Sequence, residues 1–366
     1  MEEEEEVKFV KLQDGRRVAY REQGVTWPEV GRRSLLVIHG IASSRLASMP
    51  GVSEELLKEL NVRLVAIDRP GYGESDKHPQ QTYATFAKDI DELADLLELG
   101  EKIWLLGYSC GGAYCWGAAY YIPDRIAGIA MWAPVGNYWW KGISEADRSI
   151  VFGSTLNKYS RRDLSIVRRL PQWVLRFYAR YVFLPTIGLK HVEASYCKLS
   201  PSDIRHLQNP IALESLVRDN IESAKQNYFG FGDDLYLMSH NWGFEITDVP
   251  KVYHGLLHIW NGDEDILVPL GLQECIKKLI PELVQLHPVV GEGHFSAFCF
   301  NEKIHRETLT TLFGVYGVTT KGVDCDEVVR NTRLPNLVGT KGVELPTLQQ
   351  EKTRFSQTLD FQLSSL

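Results

Sequence analysis

Apolar positions follow two different rhythms along the chain. Between Lys8 and Gly24 they alternate with polar ones, as KFVKLQ and RRVAYREQG on either side of Asp14-Gly15. Period-two alternation marks a strand with one buried face, and an Asp-Gly pair between two such runs favours a tight turn. This stretch predicts an antiparallel hairpin at a sheet edge. Beyond it come short runs that are apolar at nearly every position: SLLVIHG (34–40), VRLVAID (62–68), KIWLLGY (102–108), IAGIAMWAP (126–134), LLHIWNG (256–262) and LVQLHPV (283–289). Strands apolar on both sides are buried on both sides, as in parallel sheets covered by helices. Helix-like segments separate them, at Ser53 to Leu60, Tyr83 to Leu99, Gly112 to Tyr121 and Pro269 to Ile280. Strand and helix therefore alternate, which predicts an α/β fold with right-handed crossovers.

One long interval breaks the alternation. Residues 135–249, between the fourth and fifth parallel runs, read as aromatic-rich helices and predict an inserted helical cap on a core formed by 1–134 and 250–315. Residues 316–366 have scattered apolar positions and no sustained period, the pattern of a mobile or surface-wrapping tail. No apolar run approaches the roughly 18 to 20 residues of a membrane span. The opening Met1-Glu2-Glu3-Glu4-Glu5-Glu6 is the opposite of a basic, then apolar, secretory leader, so a reducing, cytoplasmic setting is expected. The C-terminal Ser364-Ser365-Leu366 shares two of its three residues with the Ser-Lys-Leu peroxisomal address and lacks the basic middle one.

Charge and cysteine content narrow the function classes. The formal net charge of −7 offers no overall positive field for phosphates and argues against nucleic acid as a partner. Six cysteines, at 110, 115, 197, 275, 299 and 325, form no CxxC pair and no metal spacing. They are expected to be free thiols, with no metal site among them.

The segment Leu106-Gly107-Tyr108-Ser109-Cys110-Gly111-Gly112 lies between a buried strand and a helix and contains Gly-x-Ser-x-Gly. Such a turn holds its serine strained and exposed, with glycines two residues to either side because side chains there would collide, so Ser109 is the expected nucleophile. A serine hydroxyl needs a base. Of ten histidines, His294 stands in a glycine-rich turn directly after the last strand, where its ring can project over the strand ends. The base needs a carboxylate to fix its tautomer, and Asp263, Glu264 and Asp265 compete after the fifth parallel run. Asp265 lies furthest into the loop and is the choice, with Asp263 and Glu264 facing solvent or bracing the turn. Donors for a developing oxyanion are expected from the backbone N–H groups of Cys110, directly after the nucleophile, and of Ile41, in the loop after the first parallel strand. His39 reads as a brace of that loop.

The order Ser109, Asp265, His294, together with His39-Gly40 and Asp68-Arg69-Pro70-Gly71-Tyr72-Gly73-Glu74-Ser75-Asp76, resembles the α/β-hydrolase superfamily over about two thirds of the chain. Asn137-Tyr138-Trp139-Trp140 and Gly262 to Pro269 are similar to a group of plant α/β-hydrolases, which commonly carry methionine where Cys110 stands. The resemblance implies an eight-stranded, mostly parallel sheet with a helical cap, a mechanism without a cofactor, and hydrolysis of esters or related acyl bonds. A serine at the elbow excludes the aspartate-based chemistry of epoxide hydrolases and haloalkane dehalogenases.

Trp139 and Trp140 leave the sheet beside the nucleophile and are the expected pocket residues for an apolar small molecule. The stretch 160–181 sets six arginines among Leu, Val, Trp and Phe against Asp163 alone. That pattern fits a solvated cap face with Arg stems covering apolar surface, with contact to a membrane surface as the alternative. The reading is thus a serine hydrolase of carboxylesterase type. The same triad also serves an acyltransferase or carbon–carbon hydrolase, and a hormone-like small-molecule receptor with a retained triad is the rival from another class.

Overall fold

The computed structural model describes residues 7–25, 32–47, 49–151, 166–183 and 186–314. Its eight strands are β1 (Lys8–Lys11), β2 (Arg17–Gly24), β3 (Arg33–Ile38), β4 (Val62–Ile67), β5 (Ile103–Tyr108), β6 (Ile126–Trp132), β7 (Leu257–Gly262) and β8 (Val284–Val289). They form one sheet in the order β1-β2-β4-β3-β5-β6-β7-β8. The alternating runs around Asp14-Gly15 form the antiparallel edge pair, with Phe9 opposite Ala19, and β2 continues antiparallel onto β4. From β4 to β8 every pairing is parallel. The continuously apolar runs of β3 to β7 occupy this interior, whereas β8, expected to be buried on both faces, is the edge strand, with Val284 buried and Gln285 and Pro288 exposed. Every residue of β4 is buried, as are Leu35 to Ile38 of β3, because helices cover both faces.

Local chemistry sets the helix starts. Ser53 caps Glu54–Glu59 by accepting from the Leu56 N–H, and Thr82 and Thr85 form a reciprocal capping box at the start of Tyr83–Leu96. The crossover from β4 returns to β5 on the other side of β3, so the strand order reverses between β3 and β5. Ligand sites of open α/β sheets form at the carboxyl ends of strands at such a reversal. The loops at the ends of β3, β5, β7 and β8 carry Ile41, Ser109, Asp265 and His294.

The interval between β6 and β7 is helical, with helices at Glu145–Ile150, Gln172–Tyr178, Leu189–Ser195, Pro201–His206, Pro210–Ser223 and Phe229–Ser239 among the described residues. Core and insertion belong to one compact unit, Met1–Val315, and Tyr316–Leu366 is a second. The expectations for the tail and for Ser364-Ser365-Leu366 lie outside the described residues.

Buried polar contacts hold the insertion to the sheet. Asp234, from the helix Phe229–Ser239, receives both Arg69 amino groups at 2.6 and 2.8 Å, the Tyr72 hydroxyl at 2.5 Å and the Tyr114 hydroxyl at 2.6 Å. The same guanidinium donates to the carbonyls of His39 and Gly40, and it lies over the rings of Tyr72 and Tyr114. From the helix Pro210–Ser223, Asp219 accepts from the Ser44 N–H and hydroxyl, while Glu222 pairs with Arg45, itself bonded to Asp68. Burial pushes the Asp219 carboxyl up to about 7, against the Ser43 and Ser44 hydrogen bonds that favour its charge.

Removing one partner of a buried ion pair leaves the other charge stranded. Asp234→Ala is therefore expected to destabilise the fold by about 3–5 kcal/mol in urea unfolding. A loss of about 1 kcal/mol or less, the range of an exposed pair, would show that Arg69 finds other partners.

Candidate active site

Ser109 stands between β5 and the helix Cys110–Tyr121 with φ 53° and ψ −120°, a conformation an L-residue adopts only when its surroundings force it. The surroundings do so from both ends. The Ser109 N–H donates to Trp132 O at 2.8 Å, and its carbonyl accepts from the N–H groups of Gly112 and Val135. A Cβ on Gly111 would lie 2.0 Å from Ile38 O, and one on Gly107 would lie 2.7 Å from Gly111 O. The two glycines of the motif are thus required by backbone on backbone. Gly40 packs on the nucleophile, its Cβ position 3.2 Å from Ser109 Cβ, so the loop after β3 runs alongside the hydroxyl.

His294 and Asp265 meet at that end of the sheet. The His294 Nδ1 to Asp265 Oδ2 distance is 2.6 Å, and both residues are buried. The other oxygen of Asp265 accepts from the N–H groups of Leu267 and Val268 at 2.8 and 2.9 Å, which fixes the carboxylate. Tyr108 ties this pair to the elbow: its hydroxyl donates to His294 O at 2.7 Å, and its ring stacks on the imidazole with centroids 5.3 Å apart. Asp263 braces the turn by accepting from the Gly291 N–H, and it and Glu264 are exposed.

Burial opposes a charge on His294, but the adjacent Asp265 carboxylate outweighs it, with Asp203 adding to the effect, and the imidazole pKa rises above 6.5. Burial, followed by the Arg69 charge, drives His39 well below the usual histidine range. His39 holds its loop as the neutral form, accepting the Arg69 N–H at Nε2 and donating from Nδ1 to Gly40 O. Burial also pushes the Cys110 thiol far up, so the residue after the nucleophile offers a backbone N–H and no thiolate. Cys110 opens its helix, where N–H groups lack intrahelical acceptors, and Ile41 follows the glycine that touches Ser109.

The two tryptophans part company. Trp139 is half-buried with the Arg168 guanidinium 4.6 Å above its ring. Trp140 packs in the core against Trp242, Phe244 and the Gly136 backbone, so its apolar surface is already used and it is not a pocket residue. The basic stretch 160–181 is only partly described, from residue 166 on. Arg176 is taken by buried Asp233 at 2.6 Å, whereas Trp173, Phe177 and Tyr181 are exposed. Among the described residues no helix is long and apolar enough to cross a membrane, and no group of three His, Cys, Asp or Glu side chains is placed to hold a metal ion. Among the described residues Cys110, Cys115, Cys197, Cys275 and Cys299 form no disulfide with one another, and Cys325 lies outside them.

Sequence reasoning missed three contributors. Tyr108 lies inside the motif but was a free position in it. Arg69, within Asp68-Arg69-Pro70, holds the His39-Gly40 carbonyls. Asp203 hides in Ser200-Pro201-Ser202-Asp203, which has the form of a helix start and is one: Ser200 Oγ accepts from the Asp203 N–H at 3.2 Å. Its carboxylate nonetheless reaches across to the loop of His294.

Residues 33–298 match the alpha/beta hydrolase fold family. The chain belongs to that family. Among curated relatives, this alpha/beta hydrolase is 33% identical over 99 residues to protein phosphatase methylesterase 1 of Schizosaccharomyces pombe, a match covering 25% of this chain and 29% of that protein. It is 29% identical over 125 residues to a protein of Bacillus subtilis named as a 2-succinyl-6-hydroxy-2,4-cyclohexadiene-1-carboxylate synthase, covering 33% and 42%. The matches thus span less than half of either relative. Solved structures share the fold at low identity. An esterase from Thermogutta terrifontis aligns with TM-score 0.56 and 19% identity over 86% of this chain and 100% of that one. The enol-lactonase from Burkholderia xenovorans LB400 gives 0.57 and 13% over 84% and 100%.

A protonated imidazole cannot accept the serine proton. Because the His294 pKa is raised, kcat/KM on p-nitrophenyl acetate should fall as pH drops through a value above 6.5. Asp265→Asn should move that limb down and lower kcat by several orders of magnitude, while Asp263→Asn stays near wild type. The reverse ranking of the two substitutions would reassign the carboxylate.

Proposed function

We propose that this alpha/beta hydrolase is a serine hydrolase that cleaves a carboxylic ester, or a related acyl bond, of an apolar small molecule through an acyl-enzyme. The observation that carries the reading is the His294–Asp265 pair, locked by Tyr108 beside a serine held at positive φ. Nδ1 is committed to Asp265, which leaves Nε2 as the basic nitrogen. It takes the Ser109 proton as Oγ bonds to the substrate carbonyl carbon, and the carbonyl oxygen gains its charge beside the Ile41 and Cys110 N–H groups. Collapse breaks the bond to the leaving oxygen, which receives the proton from His294. A water then gives its proton to His294, attacks the acyl carbon and frees the acid, returning the proton to Ser109 Oγ. These steps use side chains and backbone donors of this chain, with no cofactor.

The name of the fission yeast relative, a methylesterase, supports the ester reading, and that of the Bacillus relative, a synthase, supports a second one. In the second, the same triad acts as an acyltransferase or carbon–carbon hydrolase. Asn137-Tyr138-Trp139-Trp140 supports kinship with the plant group. Trp139, half-buried where β6 gives way to the insertion, is the residue we assign to apolar substrate contact.

Exposure to a fluorophosphonate probe, with mass spectrometry of the labelled peptide, should find Ser109 modified. Label elsewhere, or none, would remove the nucleophile and the function with it. Multiple turnover of p-nitrophenyl acetate is expected, and it should vanish in Ser109→Ala. A protein labelled at Ser109 that turns over at most once would instead be a receptor with a retained triad. Trp139→Ala should raise KM for long-chain esters by about tenfold, with a smaller change for acetate, in keeping with the roughly 1–3 kcal/mol by which a hydrophobic pocket discriminates small apolar groups. Equal effects on both esters would place Trp139 outside the pocket.

A further inference from the structure

The imidazole of a serine hydrolase must be held in place at the backbone as well as at Nδ1, and within the loop Gly293-His294-Phe295-Ser296 the Gly293 N–H is taken by Ser296 Oγ at 2.8 Å, which leaves the next three N–H groups to find acceptors elsewhere. Three consecutive N–H groups of this loop converge on one side chain of the insertion. Asp203 accepts from Phe295 at 2.7 Å and Ser296 at 3.0 Å through Oδ1, and from His294 at 3.0 Å through Oδ2. Oδ2 also accepts from Ser200 Oγ at 2.9 Å. The carboxylate has no exposed surface, and among the described residues no lysine or arginine pairs with it. Loop and insertion approach so closely that a Cβ on Gly293 would lie 2.5 Å from Asp203 Cγ. Only glycine fits before the histidine.

Resting on the serine-hydrolase reading, we propose that Asp203 is a positioning residue for His294, through which the inserted region sets the orientation of the catalytic base. The backbone of His294 is gripped from two sides. Its carbonyl is held by Tyr108 from the sheet, its N–H by Asp203 from the insertion, and Asp265 then turns the ring. A carboxylate bonded by successive N–H groups fixes the backbone that supplies them. Release of Asp203 frees the loop to shift relative to Ser109, and a displacement near 1 Å lowers a rate by about a hundredfold.

The test uses the full chain with Asp203→Asn, which keeps shape but presents an NH₂ group to one side of the converging N–H donors. The readouts are p-nitrophenyl acetate kinetics across pH, the rate of fluorophosphonate labelling at Ser109, and the thermal midpoint. The expected result is a kcat lower by about tenfold to a hundredfold with KM within about twofold of wild type, and labelling slowed in proportion. The acid limb of kcat/KM should move to lower pH, because a negative charge that favours imidazolium is gone while Asp265 and Tyr108 still face the ring. Gly293→Ala separates loop from carboxylate without changing charge and should lower kcat comparably. The double variant should be no worse than the poorer single, since both break the same junction.

A kcat and acid limb at wild-type values in Asp203→Asn would overturn the proposal, as would a lowered thermal midpoint with an unmoved limb. If Asp203→Asn does not fold, wild-type kcat in Gly293→Ala overturns it. Absence of label on Ser109 in the wild type would overturn this proposal and the serine-hydrolase reading together. Normal labelling of wild type beside an unaffected Asp203→Asn would overturn this one alone.

Discussion

A carboxylate removed from water must find donors, and in this protein the donors are the loops of the active site. Asp203, Asp219 and Asp234 each come from a different helix of the insertion, and each is at most 1% exposed. Left unpaired, any of them would oppose folding strongly. One finds the N–H groups around His294, the second Ser44 in the loop after β3, and the third Arg69, which holds the His39 and Gly40 carbonyls. The need to satisfy buried carboxylates thus couples the seating of the insertion to the loops around Ser109 and His294. On the proposed reading, these side chains bear on the chemistry by fixing where the loops lie.

The sheet itself supplies coarse alignment. Parallel strands end together, and the reversal of order between β3 and β5 opens a crevice at those ends. Four loops from nonadjacent parts of the chain arrive there because hydrogen-bond registers such as Ile38 with Gly107 and Gly262 with Val289 fix the strand ends relative to one another. Fine alignment comes from polar side chains. Tyr108, the last residue of β5 and the one before Ser109, reaches the His294 carbonyl from there.

The strands β3 to β7 were legible because burial on both faces leaves a run of apolar residues that a helix or loop does not need, and β1 and β2 because they alternate around Asp14-Gly15; β8 carries the same kind of run but lies at the sheet edge. The elbow at Ser109 was legible because it requires glycines at fixed spacing, and the meeting of His294 with Asp265 because their loops directly follow strand runs. Pairings across long sequence separations left no local trace. Asp203 meets Phe295 from 92 positions away and Arg69 meets Asp234 from 165, and in each case the nearby sequence has a sufficient local explanation. Ser200 to Asp203 satisfies the rule for a helix start, so nothing in the sequence demands a second use of the carboxylate. Trp140 was misplaced for a related reason: chain position puts it beside the site, but its side chain turns into the core, where Trp242 and Phe244 wait. Proximity along the chain fixes where a residue starts and says little about which way its side chain goes.

The order of the parts also bears on synthesis. Ser109, the insertion and His294 emerge from the ribosome in that sequence, and Asp203, which has Ser200 beside it, must wait for residues 294–296 before its carboxylate has its backbone donors. A nascent chain that ends before His294 lacks the base proposed for Ser109, and its Asp203 carboxylate still prefers water, whereas Asp219 and Asp234 already have Ser44 and Arg69 as donors. Its elbow is inert. On the proposed reading, reactivity toward esters arises only once residues 294–296 meet Asp203, so an unfinished chain would carry no stray hydrolytic activity.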